Sequence, residues 1–149
     1  MRYIFFLISI VLIPAACTVD QSDTASSNGS ATTFTQPNEA SEWRVQHVKA
    51  PAAQRLITDQ PNIIVLDVRT SKEYSAGHIS DSKNIDFYQE DFADKLSQLD
   101  KSAVYLLHCK SGGRSSKALK VMEDLGFENV YHLDGGFDAW KEAGLAAAA

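Results

Sequence analysis

The sequence of 149 residues lacks several features that would point to common classes of function. Its 14 Lys and Arg residues against 19 Asp and Glu residues give a net charge of −5, which excludes a basic field that would attract nucleic acid. The apolar run at residues 3–13 is too short to span a bilayer as a permanent helix. The histidines show no paired metal-ligand spacing, so we expect no metal site; they are His47, His78, His108 and His132.

The N-terminal segment has the pattern of an export signal. Met1 and Arg2 precede the apolar run, and small residues then lead to Cys17, which resembles a bacterial lipoprotein cleavage site. We expect a signal peptide at residues 1–16 and a lipid-anchored flexible linker at 17–42, which is polar and lacks an apolar period. This predicts a cell-envelope lipoprotein that faces the periplasm and is anchored to the membrane at Cys17. Secretion into the periplasm after ordinary cleavage, or an uncleaved anchor, are the alternatives.

Residues 43–145 alternate short apolar runs with helical patterns, and a tail of little content follows at 146–149. This alternation is typical of an α/β domain with a parallel sheet. The predicted strands are 44–48, 63–66, 83–85, 103–107 and 130–133, and the predicted helices are 51–57, 72–76, 92–99, 114–125 and 137–143. The strands at 63–66 and 103–107 are nearly all apolar, which predicts burial on both faces. Gly126 follows the fourth helix as a C-terminal stop.

The loop after the strand at 103–107 carries the clearest chemical signal. His108, Cys109 and two adjacent glycines lie between a buried strand and a helix. Such a loop can turn several backbone N–H groups inward, and these favour a negative charge at their centre. A thiolate at Cys109 would be stabilised there and become a better nucleophile. Acylation of Cys17 would leave Cys109 without an internal disulfide partner.

The string CKSGGRS at residues 109–115 resembles the active-site loop of the rhodanese superfamily. Other landmarks of that family follow in order: LDVR at 66–69, EY at 73–74, GHI at 77–79, NI at 84–85 and LDGG at 133–136. Several spaced motifs together are more specific than the loop alone. The resemblance implies a single rhodanese domain, with a central, mostly parallel five-stranded sheet and helices on both faces.

By this resemblance, the chain is a sulfurtransferase in which Cys109 is the catalytic nucleophile. Cys109 would take sulfane sulfur from a small anion such as thiosulfate, hold it as a persulfide, and pass it to a thiol or a protein acceptor. The chemistry implies no metal or organic cofactor. The residues expected to bind the substrate are Lys110, Ser111, Gly112, Gly113, Arg114 and Ser115. Lys110 and Arg114 would attract an anionic donor, or the Arg114 side chain would instead brace the loop.

Supporting roles are expected for residues outside the loop. Asp67 and Arg69 end a central strand, and a charge pair that supports the loop is favoured over direct contact with the substrate. Glu73 is interpreted as a helix-surface charge, His78 as a hydrogen-bonded turn histidine, and Asp134 as an N-cap.

Three other functions remain open. These are a persulfide carrier with a protein partner, a non-catalytic interaction module, and a cysteine phosphatase or arsenate reductase. Arg114 is five positions after Cys109, whereas phosphatase loops place the arginine one position further on. The shorter loop disfavours the phosphatase class.

Overall fold

The computed structural model describes residues 43–148. The predicted signal peptide at 1–16, the linker at 17–42 with Cys17, and the last residue of the tail lie outside the described residues. Within residues 43–148, no helix has the length and hydrophobicity needed to cross a bilayer.

Strands and helices alternate along the described part of the chain. The strands are β1 (Arg44–Val48), β2 (Ile64–Asp67), β3 (Lys83–Asn84), β4 (Val104–His108) and β5 (Asn129–Leu133). The helices are α1 (Ala50–Asp59), α2 (Ser71–Ser75), α3 (Phe92–Ser97), α4 (Gly113–Asp124) and α5 (Gly136–Glu142). Each predicted element is present, with its ends shifted by no more than a few residues.

The strands form one five-stranded sheet in the order β1-β5-β4-β2-β3, and every neighbouring pair is parallel. The predicted α/β fold is therefore confirmed. β2 and β4 lie inside the sheet and are largely buried, as their apolar sequences predict.

Apolar side chains pack against both faces of the sheet, because successive residues of a strand point to opposite faces. On β4, Leu107 packs in a cluster with residues of α3 and α4, while Leu106 packs in a second cluster with residues of α1 and α5. The helices therefore cover both faces, as expected.

Helix α4 begins at the loop that carries Cys109 and ends in a Schellman motif. The N–H of Phe127 donates to the carbonyl of Met122 at 3.1 Å, and the N–H of Gly126 donates to that of Glu123 at 2.9 Å. Gly126 has φ +80°, a conformation that favours glycine, and this explains the predicted stop. Ala118 and Met122 anchor the helix in the core, so the start of α4 and the loop before it are held in place.

The tail also has a defined position up to residue 148, although its sequence carries no pattern. Ala148 and His78 exchange two backbone hydrogen bonds of 2.8 Å, which form an isolated antiparallel bridge. The indole N–H of Trp140 donates to the carbonyl of Ala146 at 2.8 Å. These contacts use backbone groups of the tail, which explains why side-chain composition did not reveal them.

Candidate active site

The Cys109 loop, residues 109–115, runs from the carboxyl end of β4 into the first turn of α4. The sulfur of Cys109 accepts a hydrogen bond from the N–H of Gly112 at 3.2 Å, and the Ser115 hydroxyl lies 3.4 Å from it. Gly112 has φ +101°, which a residue with a side chain rarely adopts. The glycine therefore lets the backbone bend until its N–H points at the sulfur.

The electrostatics of the loop favour a thiolate. Burial raises the pKa of the Cys109 thiol, but hydrogen bonds from the Ser115 hydroxyl and from the N–H groups of Ser115, Gly112 and Ser111 together hold it below the ordinary value. Cys109 is also only 1% exposed, so its sulfur lies beneath the loop and not on the surface. A substrate therefore reaches the sulfur only if side chains around the loop shift.

The start of α5 holds the other side of the Cys109 loop. The N–H of Phe137 donates to the carbonyl of Cys109 at 2.8 Å, and the N–H of Asp138 donates to that of Lys110 at 2.9 Å. Gly136 makes this approach possible, because a Cβ there would lie 2.4 Å from the carbonyl oxygen of Cys109. The carbonyls of the first loop residues are thus engaged away from the sulfur.

Asp67 and Arg69 form a buried charge pair at the carboxyl end of β2. Arg69 binds both carboxylate oxygens of Asp67, with the shortest contact at 2.6 Å, and also donates to the carbonyl of Gly77 at 2.8 Å. The Arg69 guanidinium lies 4.1 Å from the centre of the Phe137 ring. Both side chains are almost fully buried, so the expected charge pair is present. Its support of the Cys109 loop stays a prediction.

Arg114 is turned toward α2, where it forms a two-pronged ion pair with Glu73 at 2.7 and 2.8 Å. Glu73 also caps α2 together with Thr70. The hydrogen bonds from Arg114 lower the pKa of Glu73 to about 2, although the partial burial of the carboxylate acts to raise it. The interpretation of Glu73 as a helix-surface charge is therefore wrong: it ties α2 to the Cys109 loop. The pair is separated by 41 residues, so no local sequence pattern revealed it.

Lys110 lies at the exposed side of the loop, where it pairs with Asp138 at 2.6 Å. A surface cleft next to this pair is lined by Arg69, Glu73, Lys110 and Phe137, among others. The positive charge of Lys110 is thus already shared with a carboxylate of α5. Ser111 and Gly113 are exposed, whereas Gly112 and Ser115 are buried against the sulfur.

Ser115 connects the sulfur to a residue that the sequence analysis did not select. Its hydroxyl lies 2.8 Å from Nε2 of His132, which is buried on β5.

Asp134, predicted as an N-cap, does not cap α5: Gly135 occupies the N-cap position, without a side-chain hydrogen bond. Asp134 instead contacts Nδ1 of His47 at 2.7 Å. His78 hydrogen-bonds the carbonyl of Tyr74 at 3.1 Å, as expected for a turn histidine.

Comparison with known proteins gives the family. The model of the rhodanese-like domain matches residues 49–143. The chain belongs to the rhodanese-like family. Its matched segment contains every element from α1 to α5 in full, and the Cys109 loop lies within it.

Relatives of this rhodanese-like chain include proteins named thiosulfate sulfurtransferase. GlpE of Pseudomonas entomophila is 34% identical over 88 residues, which are 59% of this chain and 79% of that protein. An uncharacterized protein of Synechocystis is 32% identical over 106 residues, or 71% of this chain, but the match spans only 58% of that relative. These relatives support a sulfurtransferase-type function at modest identity.

Solved structures with the same fold agree. A rhodanese-related protein from Thermoplasma volcanium has a TM-score of 0.61 at 27% identity, covering 69% of this chain and 97% of that one. The rhodanese-like domain of the Anabaena Alr3790 protein also has a TM-score of 0.61, at 31% identity, covering 68% of this chain and 77% of that one. The rhodanese-like fold of the described residues is therefore shown by structure as well as by sequence.

The Glu73–Arg114 pair predicts an acid-sensitive contribution to stability. Because the pKa of Glu73 falls from 4.5 to about 2 on folding, its contribution is complete above the unfolded value and is lost as the pH falls toward the folded one. We expect Glu73→Gln to lower the free energy of unfolding by a constant amount above about pH 5, and by less as the pH falls toward about 2. Urea unfolding over this pH range measures the effect. Glu90→Gln, which changes an exposed glutamate in the same way, is the control. An equal loss at every pH would contradict the pair.

Gly136 provides a test of the loop's support from α5. Gly136→Ala would push a methyl group against the Cys109 carbonyl, whereas Gly126→Ala also places a side chain at a positive φ but meets no heavy atom within 4 Å. We expect any uptake of sulfur from thiosulfate by Cys109 to be about tenfold slower or more in Gly136→Ala than in Gly126→Ala, because small misplacements of reacting groups are costly. Time-resolved intact mass gives the rate. Equal rates in the two variants would show that α5 does not set the loop's geometry.

Proposed function

We propose that the chain is a sulfurtransferase that moves sulfane sulfur through a persulfide on Cys109. The Cys109 thiolate attacks the outer sulfur of a donor such as thiosulfate, the S–S bond of the donor breaks, and sulfite leaves with the bonding electrons. The outer sulfur of the resulting persulfide is then attacked by a thiophilic acceptor, which takes that sulfur and returns the Cys109 thiolate. The charge balances in both steps, and neither step needs an oxidant.

The observation that carries the proposal is the hydrogen bonding of the Cys109 sulfur. The Gly112 N–H and the Ser115 hydroxyl lie within hydrogen-bond distance, and they help hold the thiol pKa below its ordinary value. Donors aimed at a charged sulfur stabilise the thiolate before attack and the persulfide afterwards. The position of the sulfur at the start of α4 adds the favourable end of a helix dipole.

The remaining loop residues have two kinds of role in the proposal. Backbone N–H groups from Lys110 to Ser115, including those of Ser111 and Gly113, surround the transferred sulfur. Arg114 braces the loop through Glu73, since both of its terminal nitrogens are engaged there. A donor anion is attracted mainly by Lys110, whose side chain is exposed and, within residues 43–148, forms one ion pair, with Asp138. Asp67 and Arg69 support the loop from below.

Three alternatives differ in what Cys109 does. A persulfide carrier would load sulfur but turn over slowly with small acceptors, and would require a protein acceptor. A non-catalytic interaction module would not load sulfur at all. A phosphatase or arsenate reductase is disfavoured because the loop is one residue too short before Arg114. The lowered pKa of the Cys109 thiol favours a sulfurtransferase or a persulfide carrier over the interaction module.

Intact mass after treatment with thiosulfate tests the proposal. In the full-length chain with Cys17→Ser, Cys109 is the sole thiol, and we expect it to gain one sulfur atom. The matched variant that also carries Cys109→Ser should gain none. If neither chain gains sulfur, the sulfurtransferase proposal is wrong and the interaction module moves ahead. Release of thiocyanate on adding cyanide then separates an enzyme, which turns over repeatedly, from a carrier, which releases its sulfur once.

We also propose that the domain works in the cell envelope as a lipoprotein that faces the periplasm. The proposal rests on the apolar run at residues 3–13 and on the small residues before Cys17. We expect Cys17→Ser to release the protein from the membrane fraction, measured by immunoblot after cell fractionation. Continued association with the membrane would favour an uncleaved anchor, and a soluble parent protein would favour secretion into the periplasm.

A further inference from the structure

Two histidines and an aspartate meet behind the Cys109 loop. His47 on β1 is the register partner of His132 on β5, and Asp134 lies just after β5. One atom of each side chain points to a common centre. The two Nδ1 atoms lie 3.3 Å apart, Asp134 Oδ1 lies 3.4 Å from Nδ1 of His132, and it lies 2.7 Å from Nδ1 of His47. The planes of the two imidazole rings are at 75° to each other, so the rings meet edge to face and do not stack.

These separations resemble those around a tetrahedral zinc ion. Zn–N and Zn–O bonds of about 2.0–2.2 Å at tetrahedral angles place neighbouring ligand atoms about 3.4 Å apart. Two of the three separations already match this value. The third is a hydrogen bond between His47 and Asp134. A cation would replace the proton of that bond, and the two groups would move apart from 2.7 Å by about 0.7 Å.

The charge of His132 and Asp134 and the exposure of His47 and Asp134 suit a cation. Burial lowers the pKa of His132, which keeps this ring neutral with a free lone pair at neutral pH. The hydrogen bond from His47 lowers the pKa of Asp134, which keeps its carboxylate charged. The side chains of His47 and Asp134 are 58% and 47% exposed, so an ion can enter from solvent and keep water as a further ligand.

The second nitrogen of His132 has a hydrogen-bond partner, as the second nitrogen of a metal-bound histidine usually does. Its Nε2 lies 2.8 Å from the hydroxyl of Ser115, and such outer hydrogen bonds fix the tautomer of a ligating imidazole. The same hydroxyl lies 3.4 Å from the sulfur of Cys109. The cluster is therefore two hydrogen-bonded contacts away from the reactive sulfur.

We propose that His47, His132 and Asp134 form a binding site for a divalent cation of the zinc class, coordinated by two imidazole Nδ1 atoms and one carboxylate oxygen. Mixed nitrogen and oxygen donors suit Zn²⁺ and also accept Co²⁺. The sequence analysis expected no metal site because it considered spacing along the chain. The cluster instead arises from the register of two parallel strands, which brings His47 and His132 together across 85 residues.

The site has a consequence for Cys109, which rests on the proposed function of that residue. Without a cation, the Asp134 carboxylate favours a proton on Nδ1 of His132, so that Nε2 and the Cys109 sulfur compete for the single hydroxyl proton of Ser115. With a cation on Nδ1, the proton moves to Nε2, which donates to the Ser115 oxygen. The hydroxyl proton of Ser115 is then no longer shared with His132 and is divided between the sulfur and the carbonyl of Gly112, which lies 3.0 Å away, so an occupied site strengthens the donation to the thiolate.

Titration with Co²⁺ tests the cation site without using sulfur chemistry. The full-length chain with Cys17→Ser and Cys109→Ser has no thiol that could bind the metal. We expect one equivalent of Co²⁺ to bind with the visible absorption of a tetrahedral site, and Zn²⁺ to displace it. His47→Ala and Asp134→Asn should weaken binding by at least about tenfold. His78→Gln and Asp138→Asn are the matched controls, since they change a histidine and an aspartate outside the cluster, and should bind as the parent does.

The outcomes of the titration decide the site. Absence of Co²⁺ binding to the parent, or unchanged affinity in His47→Ala and Asp134→Asn, overturns the proposal. His47 and Asp134 are exposed, so both variants should fold, and circular dichroism verifies this. Because Cys109 is absent from these chains, a failure here is independent of whether the protein transfers sulfur.

Alkylation of Cys109 by iodoacetamide tests the coupling. In the chain with Cys17→Ser alone, we expect one equivalent of Zn²⁺ to raise the rate of alkylation near neutral pH, and to leave the rate unchanged when His47→Ala is added. An unchanged rate in the parent overturns the coupling to the sulfur. A rate that falls equally in both chains shows zinc bound to the thiol itself and also overturns it.

Discussion

The rest of the site depends on one constraint: the backbone after Cys109 must bend until its N–H groups face the sulfur. The left-handed conformation of Gly112 provides the bend, and the N–H of Gly112 reaches the sulfur at 3.2 Å. The opposing carbonyls of Cys109 and Lys110 are bound by the start of α5. Because hydrogen bonds to the charged form outweigh the cost of burial, the pKa of the thiol falls although the residue is 1% exposed.

The fold places its charged groups around this loop in two ways. The all-parallel sheet brings the carboxyl ends of β2 and β4 side by side, so that Asp67 is in register with His108 just before Cys109. The buried Asp67–Arg69 pair is complete in itself and leaves no uncompensated charge beneath the loop. On the other side, Glu73 binds Arg114 and connects the loop to α2. A loop held from both sides keeps its N–H groups oriented before any substrate arrives. Donors that are oriented in advance stabilise a charge most effectively, because they need no reorganisation during the reaction.

Much of this arrangement could be predicted from the sequence. The alternation of apolar runs gave the five strands and their helices, and the buried strand, glycines and helix pattern located the loop at residues 109–115. The contacts that could not be predicted join residues distant in sequence. Glu73 and Arg114 are 41 residues apart, and His47 meets His132 only because β1 and β5 are neighbours in register. Gly136 was recognised as part of a motif, but its role depends on a close approach of two backbones that no spacing rule contains. The predictions for residues 1–42 concern a part of the chain outside the described structure.

The pKa of the Cys109 thiol is the most direct measure of the central claim. The pH dependence of iodoacetamide alkylation gives it in the full-length chain with Cys17→Ser, where Cys109 is the sole thiol. Burial of the sulfur slows the reaction at every pH, but the midpoint of the profile still reports the thiolate. The account predicts a midpoint below that of an ordinary cysteine, and a shift upward in Ser115→Ala, which removes one of the hydrogen bonds to the sulfur. A midpoint at or above the ordinary value, unchanged by Ser115→Ala, would show that burial dominates and that the loop does not stabilise a charged sulfur.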